Sequence, residues 1–468
     1  MANVTRRLHN YAPYQYTAIR RRLERMAAEG WRLEKIGLLW RYRRAEPAQV
    51  HYAVAYFADA SQYDPGPTPG QETFQEFCAE AGWKLAAQSG QMLVFENEQP
   101  DPLPLDTDEA LRLRGIRRAM RGSLLPSSLA MVVVCLMQLG LLASNIRYDP
   151  IGYLSQSQTL WRGLLWVLLL ASFVLQLTDY GLWVLRSKRS VAAGGPCAEA
   201  GQGVLYWLAN LCVAAGLAGV AGMLLGQLRA GLGMVVLLSL CYTAVLMSAG
   251  VLARGWMKRR GAPRGTTRLV TIGVIVAAAV VGTTLLTWGV IRMTDRGLFD
   301  ESRPVDTLTI PHGEGSFTFD LYADELPLRV EDLTAVDYDH YSYEAQWNES
   351  PLYRRLQAWQ RSFPDGNDAP DLSYELLEVK WGWLLDWTVE QLLKGYEKYN
   401  TADWNRVMVP IDPTPWHADR AWELHINGEP AGRYLLCWPG RVAALTPDSL
   451  MLPLTQPQRE VIAAKLGG

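Results

Sequence analysis

Cysteine is scarce in this chain of 468 residues, which holds six. Cys78, Cys135, Cys197, Cys212, Cys241 and Cys437 include no CxxC pair, and only Cys437 follows residue 300. A disulfide-stapled scaffold is therefore excluded for that stretch, because no second cysteine is there to pair. Phosphate-loop, HExxH and GxSxG signatures are missing, and GEGSFTF lacks the third glycine of a dinucleotide fingerprint. His312, His340, His417 and His425 lack the spacing of zinc ligands. Glu331, Asp332, Asp337 and Asp339 crowd beside His340, but without the central glycine and fixed ligand places of an EF-hand loop. No catalytic, cofactor-binding or metal-ligating residue is nominated, and the expectation is a non-enzymatic protein with no cofactor. The opening MANVTRRLHNYAPYQY has no apolar core of a signal peptide, so the first long apolar run is expected to act as the insertion signal.

Acidic residues are nearly missing from 124–299, with 4 against 14 Lys and Arg. What fills that block is apolar. Five runs, 124–144, 160–185, 204–228, 231–253 and 269–291, are each close to the roughly 20 residues that a helix needs to cross a bilayer core. Buried core helices are seldom this long or this uniformly apolar. The expectation is a bundle of five transmembrane helices over 124–291.

The charges between the runs predict orientation. Arg112, Arg114, Arg117, Arg118 and Arg121 precede the first run; Arg186, Lys188 and Arg189 follow the second; Arg254, Lys258, Arg259, Arg260, Arg264 and Arg268 separate the fourth from the fifth. The other connections carry little beyond Arg147 and Arg229. The positive-inside rule then puts the N-terminus in the cytoplasm and, after five crossings, the C-terminus outside. Residues 300–468 hold 14 basic and 28 acidic side chains, a balance of −14, while everything before them sums to +12. An acidic outer domain and a basic inner rim fit that topology. The rim is expected to meet anionic headgroups of the lipid bilayer.

Residues 1–100 contain a weak repeat. ERMAAEGWRLEKI runs into LLWRYRR, and EFCAEAGWKLAAQ runs into QMLVFEN. Each reads as a helix that ends at Gly-Trp and continues into a β-hairpin. Gly30 and Gly82 are placed to end their helices in the left-handed conformation, and Trp31 and Trp83 to open the following strands. HYAVAYFA reads as a further strand by its alternation. The expectation is an α+β domain with one open sheet and two helices on one face. Residues 1–44 carry eleven Lys and Arg against three acids. A lipid surface, a cytoplasmic protein partner, or a merely solvated face would each explain that excess, whereas no nucleic-acid module is visible.

TRRLHNY, MAAEGWRL and AEAGWKL together resemble the bacterial DUF2812 family, whose members are often followed by membrane spans. The resemblance covers about 1–100, and some members are similar again at WLLDW and YLLCWPGRV. It implies no reaction and no catalytic residues. Such genes tend to lie beside transcriptional regulators in Gram-positive bacteria, which implies envelope signalling as an expectation only. After this domain, 101–123 reads as a linker, DPLPLD, and a basic juxtamembrane helix, DEALRLRGIRRAMRG.

Polar groups inside the runs are few. Gln176 and Asp179 lie in the second, Asn210 in the third, and Asp179 and Asn210 are expected at similar depth, within reach of one hydrogen bond. An ion-sensitive switch or a structural contact would both use them. Ala214, Ala218, Gly222 and Gly226 make a stripe of small residues suited to helix packing, as do Gly273, Ala277, Ala278 and Gly282. Residues 300–468 read as an α+β domain rich in aromatics, with nine Trp and nine Tyr. Expected there are strands DTLTI and SFTFDLY across PHGEG, a helix from Ser350-Pro351 through Arg361, an exposed loop FPDGNDAP, a strand LSYELLEVK, a helix over 384–400, a hairpin turning at Asn427-Gly428, a strand RVAAL and a closing helix TQPQREVIAAKL. The functional expectation is an envelope sensor or signal relay linking an outer to an inner domain. A transporter-like or accessory subunit and an envelope enzyme are the alternatives.

Overall fold

The structure is a computed structural model that describes residues 3–9, 11–37, 39–57, 59–105, 108–122, 124–201, 203–229, 233–294, 304–312, 315–363, 369–398, 400–401 and 403–468. The chain divides into two compact units, 1–138 with 165–292, and 139–164 with 293–468.

The first unit begins with a doubled βαββ motif. β1 (Val4–Leu8), α1 (Tyr16–Ala28), β2 (Trp31–Lys35) and β3 (Leu39–Arg44) form one copy; β4 (His51–Tyr56), α2 (Pro69–Glu80), β5 (Lys84–Ser89) and β6 (Met92–Asn97) form the other. The sheet orders β1-β3-β2 and β4-β6-β5 are equivalent strand for strand. The irregularities also recur, between Leu33 and Lys35 in β2 and between Leu85 and Ala87 in β5. Gly30 and Gly82 have φ of 80° and 84°, a conformation that costs a residue with a Cβ, and both amides close onto the last turn of their helix. The single open sheet expected from the pattern is instead two three-stranded sheets. The alternation of apolar residues specifies each hairpin but not whether neighbouring hairpins bond to one another.

Trp83 is buried with Cys78, Leu93 and Phe95, and its Nε1 donates to the Leu103 carbonyl at 2.9 Å, which pins the linker 101–105 to this domain. Trp31 stays half-buried beneath the Arg44 guanidinium. His9 lies among Tyr11, Trp40 and Tyr42, and its Nε2 has no partner among the described residues. Burial, then Arg22 and Arg7, lowers its pKa from 6.5 to about 4. A depressed imidazole pKa means the unfolded chain takes up the proton first. This domain is therefore expected to lose stability as pH falls from about 6.5 towards 4 and to show no His9 contribution above that window. Urea unfolding at pH 7 and pH 5 checks this: His9→Phe should narrow the difference between the two pH values, and an unchanged difference would refute it.

α3 (Glu109–Gly122) follows, and then the helices of the apolar block: α4 (Leu124–Tyr148), a short α5 (Pro150–Leu154), α6 (Ser157–Ala192), α7 (Val204–Arg229), α8 (Gly233–Arg259) and α9 (Arg264–Thr294). Five of them are long and apolar enough to cross a bilayer, as in a multi-pass membrane protein. Their apolar side chains are largely uncovered by protein; Leu136, Leu217 and Val280 are all more than half exposed, which in water would be untenable at this scale. Within the first unit, a Cβ at Gly216 of α7 would lie 3.1 Å from Leu165 of α6, and one at Gly282 of α9 would lie 2.5 Å from the Tyr242 ring of α8. The Tyr242 hydroxyl also meets Thr283 at 3.0 Å. The stripe on α7 is placed differently. Ala214, Ala218 and Gly222 are exposed, and the surroundings of Gly226 lie outside the described residues. Gly216, about half a turn away from Ala214 at 3.6 residues per turn, faces α6 instead.

The second unit is dominated by a seven-stranded antiparallel sheet of order β12-β13-β14-β15-β11-β10-β9. After β7 (Asp306–His312) and β8 (Gly315–Leu321), its elements are β9 (Tyr341–Glu349), β10 (Tyr353–Ser362), β11 (Leu372–Val379), α10 (Leu385–Glu397), β12 (Arg406–Ile411), β13 (Arg420–Ile426), β14 (Glu429–Trp438), β15 (Arg441–Pro447) and α11 (Gln456–Leu466). Both faces are covered, because alternate residues point to opposite sides. Tyr434, Leu436 and Trp438 of β14 pack towards Trp416 and α11, while Leu435 and Cys437 pack towards α10. Asn427 and Gly428 at the β13–β14 turn have φ of 53° and 89°, as the Asn-Gly pair requires.

The helix expected over 350–361 is strand β10. Leu356, Ala358, Gln360 and Ser362 are buried with a period of two, which only a strand can deliver. The Ser350 hydroxyl accepts from the amides of Leu352 and Tyr353, the bonds a helix cap would make, but here it closes a tight turn between β9 and β10. Residues 364–368 of the expected exposed loop and 313–314 of the first turn lie outside the described residues.

Candidate functional site

Within the first unit the N-terminal domain is fastened to the last turns of α6 and to the loop after it. The segment Pro13–Gln15 forms a short helical turn that ends in α1. Its Tyr14 side chain is buried, and its hydroxyl donates to Asp179 Oδ2 at 2.6 Å across 165 residues of sequence. Burial first, then the bond to Asp179, raises the Tyr14 pKa, so the phenol stays protonated and donates. Around it, Leu113, Ile116 and Met120 of α3 pack with Tyr180 and Trp183 of α6 and with Cys197 and Ala200 of the following loop. α3 is thus one wall of this junction rather than a free connector.

The loop 196–201 is held from several sides. Thr17 Oγ1 donates to the Ala200 carbonyl at 3.0 Å, Arg21 pairs with Glu199 at 2.6 Å, and Trp183 Nε1 donates to the Ala198 carbonyl at 2.9 Å. The Cys197 amide donates to Glu109 Oε2 at 3.0 Å. Burial works against the Glu109 carboxylate, but the Cys197 amide and Arg112 more than offset it and hold its pKa below the ordinary value.

Two cavities adjoin Tyr14. One of about 340 Å³ is lined by Asp179, Trp183, Arg186, Glu199 and the backbone that opens α7. A smaller one of about 50 Å³ is lined by Gln15, Ser128, Gln176, Tyr206 and Asn210. The three polar residues singled out in the apolar runs therefore collect at one place, with Tyr14 between the two cavities. Asp179 and Asn210, which lie within reach of one hydrogen bond by sequence, each bond to another group. Asp179 accepts from Tyr14, Asn210 Nδ2 donates to the Tyr206 carbonyl at 2.7 Å, and Gln176 Nε2 donates to Ser172 Oγ at 3.2 Å. An amide four residues from a carbonyl on its own helix satisfies itself locally, which leaves the carboxylate to a donor from elsewhere. Gln15 is 1% exposed and its Nε2 has no partner among the described residues.

Sequence reading missed Tyr14. Its only signal was Pro13 at a helix start beside a tyrosine-rich stretch, YAPYQY, next to a basic helix. It also missed α5, which Asp149-Pro150 announces as a cap and first-turn pair; Asp149 Oδ1 accepts from the Gly152 amide at 2.9 Å.

In the second unit the acids beside His340 are dispersed. Asp332 pairs with Lys465 at 2.7 Å, Glu331 accepts from Tyr343 and Gln360, and Asp337, Asp339 and His340 are exposed. Among the described residues no group of three His, Cys, Asp or Glu is disposed to hold a metal ion. The tie to the apolar block in this unit is structural. Ile151 of α5 is buried among Tyr353, Leu377, Val389 and Leu435; Ser157 Oγ donates to the Glu349 carbonyl at 2.5 Å, and Lys398 Nζ to the Tyr148 carbonyl at 2.7 Å.

These features define a class: a chain with five membrane-length apolar helices, an α/β domain before them and a sheet-rich domain after them. Residues 15–127 match the model of a family described as a protein of unknown function, DUF2812, a match that supports membership in that family. The match runs from the turn that carries Gln15 through α3 into the start of α4. Comparison with curated proteins and with solved structures finds no match.

Proposed function

We propose that this chain is a non-enzymatic membrane relay, in which the state of the C-terminal domain is passed along α6 to the N-terminal domain and its partner. The observation that carries this reading is the division of labour along α6. Ser157 at its start bonds to Glu349 of the C-terminal domain, and Asp179, about two thirds of the way along, bonds to Tyr14 of the N-terminal domain. A continuous hydrogen-bonded helix is stiff enough to carry a shift from one end to the other, provided each end has something to bias. The basic segments support an N-terminal domain in the cytoplasm and a C-terminal domain outside, meeting an envelope ligand or protein.

Hydrogen exchange of the full-length chain in nanodiscs tests it. Tyr14→Phe removes a hydrogen bond to a carboxylate, worth about 1.5–3 kcal/mol, so exchange across α1 and 196–201 should quicken by at least about tenfold. Asp179→Asn should weaken the same protection, and the double variant should add little. The relay further requires that Ile151→Asp, made in the C-terminal unit, alters protection at 196–201. If it does not while Tyr14→Phe still does, the junction is only a local latch and the relay reading fails.

A further inference from the structure

A third cavity, of about 500 Å³, lies in the first unit where the N-terminal domain meets α9. Its floor is Arg264 and Arg268, one turn apart on α9, followed on the same stripe by Ile272. Its roof is polar: Ser61, Gln62 and Tyr63 from the loop after β4, and the Ser89–Gln91 turn of the β5–β6 hairpin. No carboxylate is among the described residues that line it, in contrast to the cavity beside Asp179 and Glu199. Arg264 Nη1 reaches only a backbone oxygen, that of Asp59 at 3.2 Å. The Arg268 side chain makes no hydrogen bond or ion pair with any described residue.

We propose that this cavity holds the phosphate headgroup of an anionic phospholipid. Two guanidiniums without a carboxylate partner in the cavity call for an anion, and arginine forks suit phosphate oxygens. The stripe then changes character in the direction a lipid would. After Arg264 and Arg268 come Ile272, Val276 and Val280 at successive four-residue steps, all three exposed and apolar, a path for an acyl chain along α9. The hydroxyls of Ser61, Tyr63 and Ser89 supply neutral donors from the opposite wall. This narrows a general basic rim to one place and makes the N-terminal domain half of the site. It stands apart from the relay, since it needs neither α6 nor Tyr14.

Native mass spectrometry of the full-length chain tests it, with phosphatidylglycerol, phosphatidylcholine and soluble glycerol phosphate as probes. The expected result is retention of phosphatidylglycerol over phosphatidylcholine, about thirtyfold weaker in R264Q/R268Q. R264K/R268K should keep most of the binding, and Arg147→Gln, on α4, should leave it unchanged. Equal retention by R264Q/R268Q, or equal binding of phosphatidylcholine, would overturn the site. Glycerol phosphate bound as tightly as the lipid, and lost in the same variant, would show an anion site and overturn the lipid as its occupant. Exchange behaviour at 196–201 in R264Q/R268Q should match the unsubstituted chain, which keeps this result separable from the relay.

Discussion

Ile151→Asp is expected to destabilise the C-terminal domain by about 3–5 kcal/mol, although Ile151 lies some 150 residues before that domain begins. Its side chain is 4% exposed and sits in the core formed by the α10 face of the sheet, with Tyr353, Leu377, Val389, Leu435 and Val442 around it. A carboxylate placed among these apolar side chains must either be buried charged or push α5 out of the core. Pushing α5 out also exposes the apolar surface of Leu384 and Val389, so neither outcome is cheap. Ile151→Val removes one methylene and should cost only about 0.5–1.5 kcal/mol. Denaturant unfolding of the full-length chain in detergent, followed by tryptophan emission, separates the cases. A midpoint for Ile151→Asp equal to that for Ile151→Val would mean that α5 is not part of the domain core. The capped start of α5 at Asp149 and the bonds from Ser157 and Lys398 argue against that outcome.

Trp416→Ala should cost the same domain about 3–5 kcal/mol. Trp416 is fully buried in the core on the other face of the sheet. Its ring stands 4.9 Å from that of Tyr434, the Arg459 guanidinium lies over it, and its carbonyl accepts from Trp438 Nε1 at 3.2 Å. Alanine would leave a void lined by Leu436, Ile462 and Leu466, and a seven-stranded sheet cannot close over it without moving α11. Trp416→Phe should lose much less, because it keeps an aromatic ring against Tyr434 and removes an Nε1 that has no partner among the described residues. Comparable losses from the two substitutions would show that a ring against Tyr434 recovers nothing and that the whole indole is required. The two faces of the sheet can also be told apart: losses from Ile151→Asp and Trp416→Ala should add, since the clusters share no residue.

Much of the architecture was legible because it is local. A run of apolar residues longer than twenty is a property of consecutive positions, and five such runs correspond to α4, α6, α7, α8 and α9. The helices end beyond the apolar limits, since backbone hydrogen bonding continues past the point where hydropathy falls, as at Arg189 in α6. Gly30, Gly82 and Asn427-Gly428 were readable for the same reason: a left-handed residue is demanded by the turn it makes, not by distant packing. The β10 misreading shows the limit of local signals. Ser350-Pro351 carries a genuine cap signal, and Ser350 does cap two amides, but the burial of every second residue by α11 and the 326–333 segment overrode it.

The sequence by itself determined the five membrane-length helices, the two helices, two hairpins and β4 strand of the N-terminal domain, and the uneven spread of charge. Each follows from neighbours along the chain and from the period of their apolar residues. Only the tertiary structure decided what those elements meet. It put Tyr14 against Asp179, α5 into the core of a domain far along the chain, and Arg264 and Arg268 beneath a polar roof from 61–63 and 89–91. The physical reason is that a carboxylate, an isoleucine or an arginine accepts many partners of the right chemistry. Which one it receives is set by how whole elements pack to bury their apolar faces, and no window of sequence contains that choice.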